Sequence, residues 1–203
     1  MANVNGPFGF LQAGTASGPP NFAQGGNTPY RIAAGYATAI FFGDLVRWNV
    51  TPTGYVEQWA NGDGSTATKI PIGIFYGCQY YSTGQRKTVW NNYWPGSDAT
   101  GDVQAYICDD PNAQFLVQAA AGPITQTAIG QVADIAATPL GNTTTGLSTM
   151  ALSTPTNTPA TLPFKVVNVV TNPSGINGRD ITTAYNVVVV AFNNQIYKNA
   201  LGV

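Results

Sequence analysis

The chain has no histidine, a single glutamate (Glu57), and eight basic against nine acidic side chains in 203 residues. Charged residues make up 8% of it, against roughly 25% in an ordinary soluble domain. Each shortage excludes something. Without histidine the usual base of a nucleophilic triad is missing. Without clustered lysine and arginine there is no footing for a nucleic-acid backbone, so no nucleic-acid partner is expected. A net charge of −1 leaves little repulsion between copies or neighbours. A surface of Thr, Asn, Gln, Ser and Gly with aromatics among them suits neutral contact with other protein. The first expectation is a structural part and not an enzyme.

Long apolar runs are also lacking. No stretch approaches the roughly 18 residues that span a bilayer, so no membrane partner is expected. The opening MANVNGPFGF has neither the basic nor the apolar region of a secretory signal, which points to synthesis in a cytoplasm. Cysteine is scarce: Cys78 and Cys108 both fall in apparent strands and read as small buried hydrophobes. A disulfide between them is conceivable but disfavoured in a reducing compartment. Two thiols without histidine cannot complete a tetrahedral metal site.

What is present is β-forming sequence. From about 30 to 120 short apolar segments alternate with turn residues, as in a small antiparallel barrel or sandwich. In Ile70–Tyr81 the residues Ile70, Ile72, Ile74, Tyr76, Cys78 and Tyr80 recur at period 2 and are expected on one face. Pro71 and two glycines there mark an edge or a bulged, curved strand. Further strands are read in Ala37–Trp48, Gly54–Ala60 and Lys87–Trp94. Val103–Cys108 and Phe115–Ala119 flank Asp109-Asp110-Pro111-Asn112 and read as a hairpin. Residues 121–203 form a second β part that completes the same domain. Ala128–Ala137 reads equally as strand or helical turn, and 138–163 is largely Thr/Pro/Asn-rich loop. Phe164–Val170 and Tyr185–Phe192 are strands. Val187–Val190 is apolar on both faces, which places it in the middle of a sheet or against a partner. The fold class is all-β.

Residues 1–29 stand apart, with four prolines, six glycines and no charge. Phe8, Phe10, Leu11 and Phe22 are spaced along them, more apolar surface than a free tail needs. Two readings follow: an arm folded back on its own domain, or an extended N-terminal arm whose aromatics dock on a neighbouring subunit by strand addition. The second is preferred, with Tyr30 at the arm's base.

Searching for chemistry yields little. Asp109 and Asp110 sit in a tight turn where Asp caps its own backbone. Gly62-Asp63-Gly64-Ser65 lacks the Gly-Lys-Ser/Thr ending of a phosphate loop and the spaced carboxylates of a calcium loop. No cofactor and no metal are expected. Trp48, Trp59, Trp90 and Trp94 all fall in the barrel-like part. Burial is the ordinary fate of a strand tryptophan; an interface anchor or a stacking platform for sugar rings are the alternatives. Trp90-Asn91-Asn92-Tyr93-Trp94 fits neither strict alternation nor a simple turn, so Trp90, Tyr93 and Trp94 are the candidate exposed patch.

Ala39-Ile40-Phe41-Phe42-Gly43-Asp44-Leu45-Val46, Ile72 through Tyr80, and Ala105-Tyr106-Ile107-Cys108-Asp109-Asp110-Pro111 with Phe115-Leu116-Val117-Gln118 occur in that order. Gly6-Pro7-Phe8-Gly9-Phe10 precedes them; Ile129-Gly130 and Ala133-Asp134 follow. The set resembles head decoration (capsid cement) proteins of tailed bacteriophages. The resemblance implies a non-enzymatic, β-rich homo-oligomer, a trimer or dimer, on the exterior of the virion. It also implies the major capsid protein as partner, with the arm reaching onto the capsid lattice. The alternative is a carbohydrate-binding or tail-associated protein using the aromatic patch.

Overall fold

The computed structural model describes residues 2–15, 30–49, 54–65, 69–136, 141–154, 156, 158–171 and 180–198. Along them run β1 (Leu11–Thr15), β2 (Tyr30–Ile32), β3 (Leu45–Trp48), β4 (Val56–Gln58), β5 (Pro71–Ser82) and β6 (Lys87–Asn91). Then follow β7 (Val103–Cys108), β8 (Ala113–Gln118), β9 (Val132–Ala133), β10 (Phe164–Val169) and β11 (Val187–Phe192). Short 3-10 turns at Asp63–Ser65 and Gln126–Ala128 are the helical elements among the described residues, and none could cross a membrane. Of the undecided Ala128–Ala137, the described residues 128–136 hold the end of a turn followed by a two-residue strand, and Ala137 lies outside the described residues.

Among the described residues the ladders between named strands are antiparallel and fall into two sheets, with isolated parallel bridges at Phe42–Leu147 and Ala119–Leu152. Sheet I has the order β1-β8-β11-β10-β9; sheet II has the order β2-β7-β5-β3-β4, with β6 attached to β5. The fold is an all-β sandwich. Sheet II curls until β2 and β4 approach each other, but no ladder joins them and the barrel stays open. β11 is the centre of sheet I, where a strand apolar on both faces belongs.

Two cores result. One draws on both sheets and holds Phe10, Leu45, Trp59, Ile74, Phe115, Phe164, Val188 and Phe192. The other fills the curl of sheet II with Ile32, Ile40, Val46, Ile72, Phe75, Tyr80, Trp94 and Ile107. β5 serves both because its ladders slip, between Val46 and Arg47 against β3 and between Phe75 and Gly77 against β7. The single apolar face expected of β5 is therefore divided. Ile72, Cys78 and Tyr80 join the curl of sheet II with Phe75, whereas Ile74 and Tyr76 turn to the shared core. Each bulge adds a residue to one strand and so reverses the faces beyond it. Gly73 permits the tight β5–β7 approach: a Cβ there would lie 2.2 Å from the Cys108 carbonyl oxygen.

Two further expectations are corrected. β7 and β8 do not form a hairpin, because β7 lies between β2 and β5 and has no free edge. The Asp109–Asn112 turn instead carries the chain from sheet II to sheet I, with Asp110 Oδ1 accepting the Asn112 N–H at 2.8 Å. Nor does the described part of the arm, 2–15, reach outward. Asn3 donates to the Asp180 carbonyl at 2.6 Å, Gly6 N–H to Gln118 Oε1 at 3.0 Å, and Phe10 N–H to the Gly43 carbonyl at 2.9 Å. β1 then covers the edge of β8. An open sheet edge is a liability that a strand of the same chain can cover, and here β1 does so. Phe22 lies outside the described residues.

Candidate binding face

The hairpin β5–β6 stands at the side of sheet II and separates two kinds of aromatic. On its inner face Cys78, Tyr80 and Ser82 are buried. There Trp94 has no exposure, meets Tyr80 edge-on at 5.1 Å and donates its indole N–H to the Tyr36 carbonyl at 3.0 Å. Tyr93 is half-buried and stacked on Phe41 at 5.6 Å. Trp94 and Tyr93 are thus structural, and Trp90 alone of the expected patch is exposed, at 63%. The other two tryptophans are also packed: Trp59 is buried, and Trp48 is tilted against Tyr30 at 5.5 Å.

Register assembles a different patch around Trp90. Trp90 on β6 lies opposite Gln79 on β5, which lies opposite Gln104 on β7, which lies opposite Arg31 on β2. This row crosses four strands, and all four residues are exposed. Beside it Thr88 pairs with Tyr81, and Gly77 pairs with Tyr106. Tyr106 donates its hydroxyl to Gln79 Oε1 at 3.2 Å. Sequence reading missed Gln79, Tyr81, Gln104 and Tyr106; their period-2 spacing along β5 and β7 was the available signal, but it does not tell which face is wet. The hairpin tip is held by Asp98, which accepts from Ser82 Oγ and Thr83 Oγ1 at 2.7 Å each and from Gly84 N–H at 3.1 Å. Those bonds hold its carboxyl below the usual range.

β6 pairs with β5 alone, so its second edge is unpaired among the described strands. A shallow groove lined by Gln85, Lys87, Thr88, Val89, Trp90 and Asn91 runs along it.

The remaining expected interface residues are mostly packed. Phe10 is fully buried; Phe8 and Leu11 are half-buried. Tyr30 is 6% exposed and donates to Asp109 Oδ2 at 2.7 Å, with the exposed Tyr197 hydroxyl 2.9 Å away. Burial, reinforced by these two partners, pushes its phenol far above the ordinary value.

Several of the few charges work inside the fold. Arg47 pairs with Glu57 at 2.5 Å and with Asp63 at 2.8 Å, and Lys69 closes on Asp63. Asp44 is buried and accepts the Phe41 N–H at 2.8 Å and the Gln58 amide at 2.6 Å; burial pushes its carboxyl up to about 6. Cys78 and Cys108 lie in different cores, and burial pushes their thiols up to about 12 and about 11. No set of three or more Cys, Asp or Glu among the described residues is placed to hold a metal ion.

Against protein-family models, curated proteins and solved structures alike, the chain finds no match.

Proposed function

We propose that this chain is a non-enzymatic structural protein that binds the outer surface of a phage capsid and bridges subunits of its major capsid protein, itself as a homo-oligomer. The observation that carries this reading is the unpaired edge of β6, with its uncharged-rich groove, in a protein whose surface has little charge of either sign. Such an edge offers a row of backbone donors and acceptors to an extended segment of a capsid subunit. Attachment by backbone hydrogen bonds and buried apolar area is insensitive to screening. Repetition over a symmetric lattice then multiplies a modest contact.

Co-sedimentation with expanded, undecorated capsids tests the reading. The protein is expected in the pellet, and to remain there in about 1 M salt, where charges are screened beyond about 3 Å. Thr88→Lys places a charge on the exposed edge strand and is expected to reduce pelleting while leaving the melting curve unchanged. Protein that stays in the supernatant with intact, expanded shells refutes capsid binding.

A further inference from the structure

Trp90 is the most exposed of the four tryptophans. Its indole lies against the β5 backbone at Gly77. A Cβ at that position would come 3.2 Å from the indole Cζ2 and 2.9 Å from the Asn91 carbonyl oxygen. Gly77 also has φ near +148°, a conformation that side chains disfavour. The glycine thus provides a notch that seats the ring on the sheet. Across the notch stands Tyr106, paired with Gly77 on β7.

Around this ring the face is polar but almost uncharged. The Tyr106 hydroxyl occupies Gln79 Oε1, which turns the Gln79 amide nitrogen away as a donor. Gln104 follows in the same row, and Thr88 and Tyr81 lie alongside, with Tyr81 48% exposed. Arg31 closes the row and is itself paired with Asp102 at 3.4 Å. Lys87 pairs with Ser82 and lies outside the row, at the far end of the edge groove that it lines together with Trp90.

We infer that this face, with Trp90 seated at Gly77 and the amides of Gln79 and Gln104 beside it, binds a neutral saccharide. The negative π-face of an indole attracts the polarised C–H groups on one side of a pyranose ring. Amide and hydroxyl groups at the rim meet sugar hydroxyls as either donors or acceptors. A phosphate or acidic ligand would find no unpaired cation in this row. The inference does not rest on capsid attachment: that uses the backbone edge of β6 and is read out by sedimentation, whereas sugar binding uses the Trp90 ring and is read out on the array, although Thr88 and Trp90 adjoin both.

The test uses the full chain on a glycan array carrying neutral and acidic saccharides, followed by titration of retained sugars to about 10 mM, a range that captures weak single-platform affinities. Retention of neutral saccharides is expected, weakened at least tenfold by Trp90→Ala and also by Gly77→Ala, which displaces the ring. Trp90→Phe is expected to keep part of the affinity, and Tyr197→Ala, exposed but outside the face, all of it. Melting curves of Trp90→Ala should match the parent because the side chain is exposed, so a loss of binding is not a loss of fold. Retention of acidic saccharides only, retention of none, or binding unchanged in Trp90→Ala each overturns the inference. If Trp90→Ala abolishes capsid pelleting while no sugar is retained, the face is a protein contact; the inference then falls and the proposed function stands.

Discussion

The Phe10 ring is stacked on Phe164 with centroids 4.3 Å apart and planes inclined by 17°, fastening the N-terminal segment to the centre of the shared core. Phe10 has no exposed surface. Truncation there leaves a cavity next to Phe164 and Phe192, so Phe10→Ala is expected to destabilise the fold by about 3–5 kcal/mol. Phe8→Ala, at a half-buried site, should cost far less. Urea unfolding of the two variants checks this; equal, small effects would show that the segment is a detachable arm.

A second fastening joins the two sheets at Asp134. Its carboxylate accepts the Trp59 indole N–H at 2.9 Å, the Ile135 N–H at 2.8 Å and the Gly64 N–H at 3.3 Å. Asp134→Ala strands these donors in a largely dry place, with an expected loss of about 2–3 kcal/mol. Trp59→Phe, which removes the donor with the ring largely retained, is expected to cost less. A thermal melt in which Asp134→Ala matches the parent would contradict this assignment.

Asp44 makes stability fall as pH rises. Its folded carboxyl titrates near 6, above the ordinary 3.8, chiefly because burial disfavours the anion. Below about 4 the group is protonated in both states and imposes no penalty; between about 4 and 6 the unfolded chain ionises first, and the native state loses about 2–3 kcal/mol relative to it. Denaturant unfolding from pH 4 to 7 should show this decline in the parent and not in Asp44→Asn. Asp98 and Asp180 act with the opposite sign at lower pH, since their lowered folded values favour the native state until acid protonates them.

The thiols should be silent in the native protein. Both are buried and both titrate far above neutrality, so neither supplies thiolate to an electrophile. A disulfide-exchange reagent is expected to label none in the native state and both in denaturant. Mild oxidation should form no intramolecular bond, because the side chains serve separate cores; rapid native labelling would count against this packing.

Composition and period-2 patterning were sufficient to reveal an all-β chain, most of its strands and the buried cysteines, and to narrow Val187–Val190 to the middle of a sheet or a partner contact, of which the sheet order selects the first. Those properties are local: alternation, β-branching and turn residues act within a few residues of each other. Trp90 and Trp94 show where local reading ends. They share the same parity, yet one is wet and the other is core, because the chain bends at Asn92-Tyr93 and Trp94 bridges to Ile40. Likewise the Asp109–Asn112 turn carries hairpin chemistry, but both edges of β7 were already occupied. The paucity of charge was legible from the first residue to the last. Which neutral surface stays exposed was set by the curl of sheet II and by the slip in β5 that presents Gly77 to Trp90, since pairing partners distant in sequence fix the face each side chain occupies.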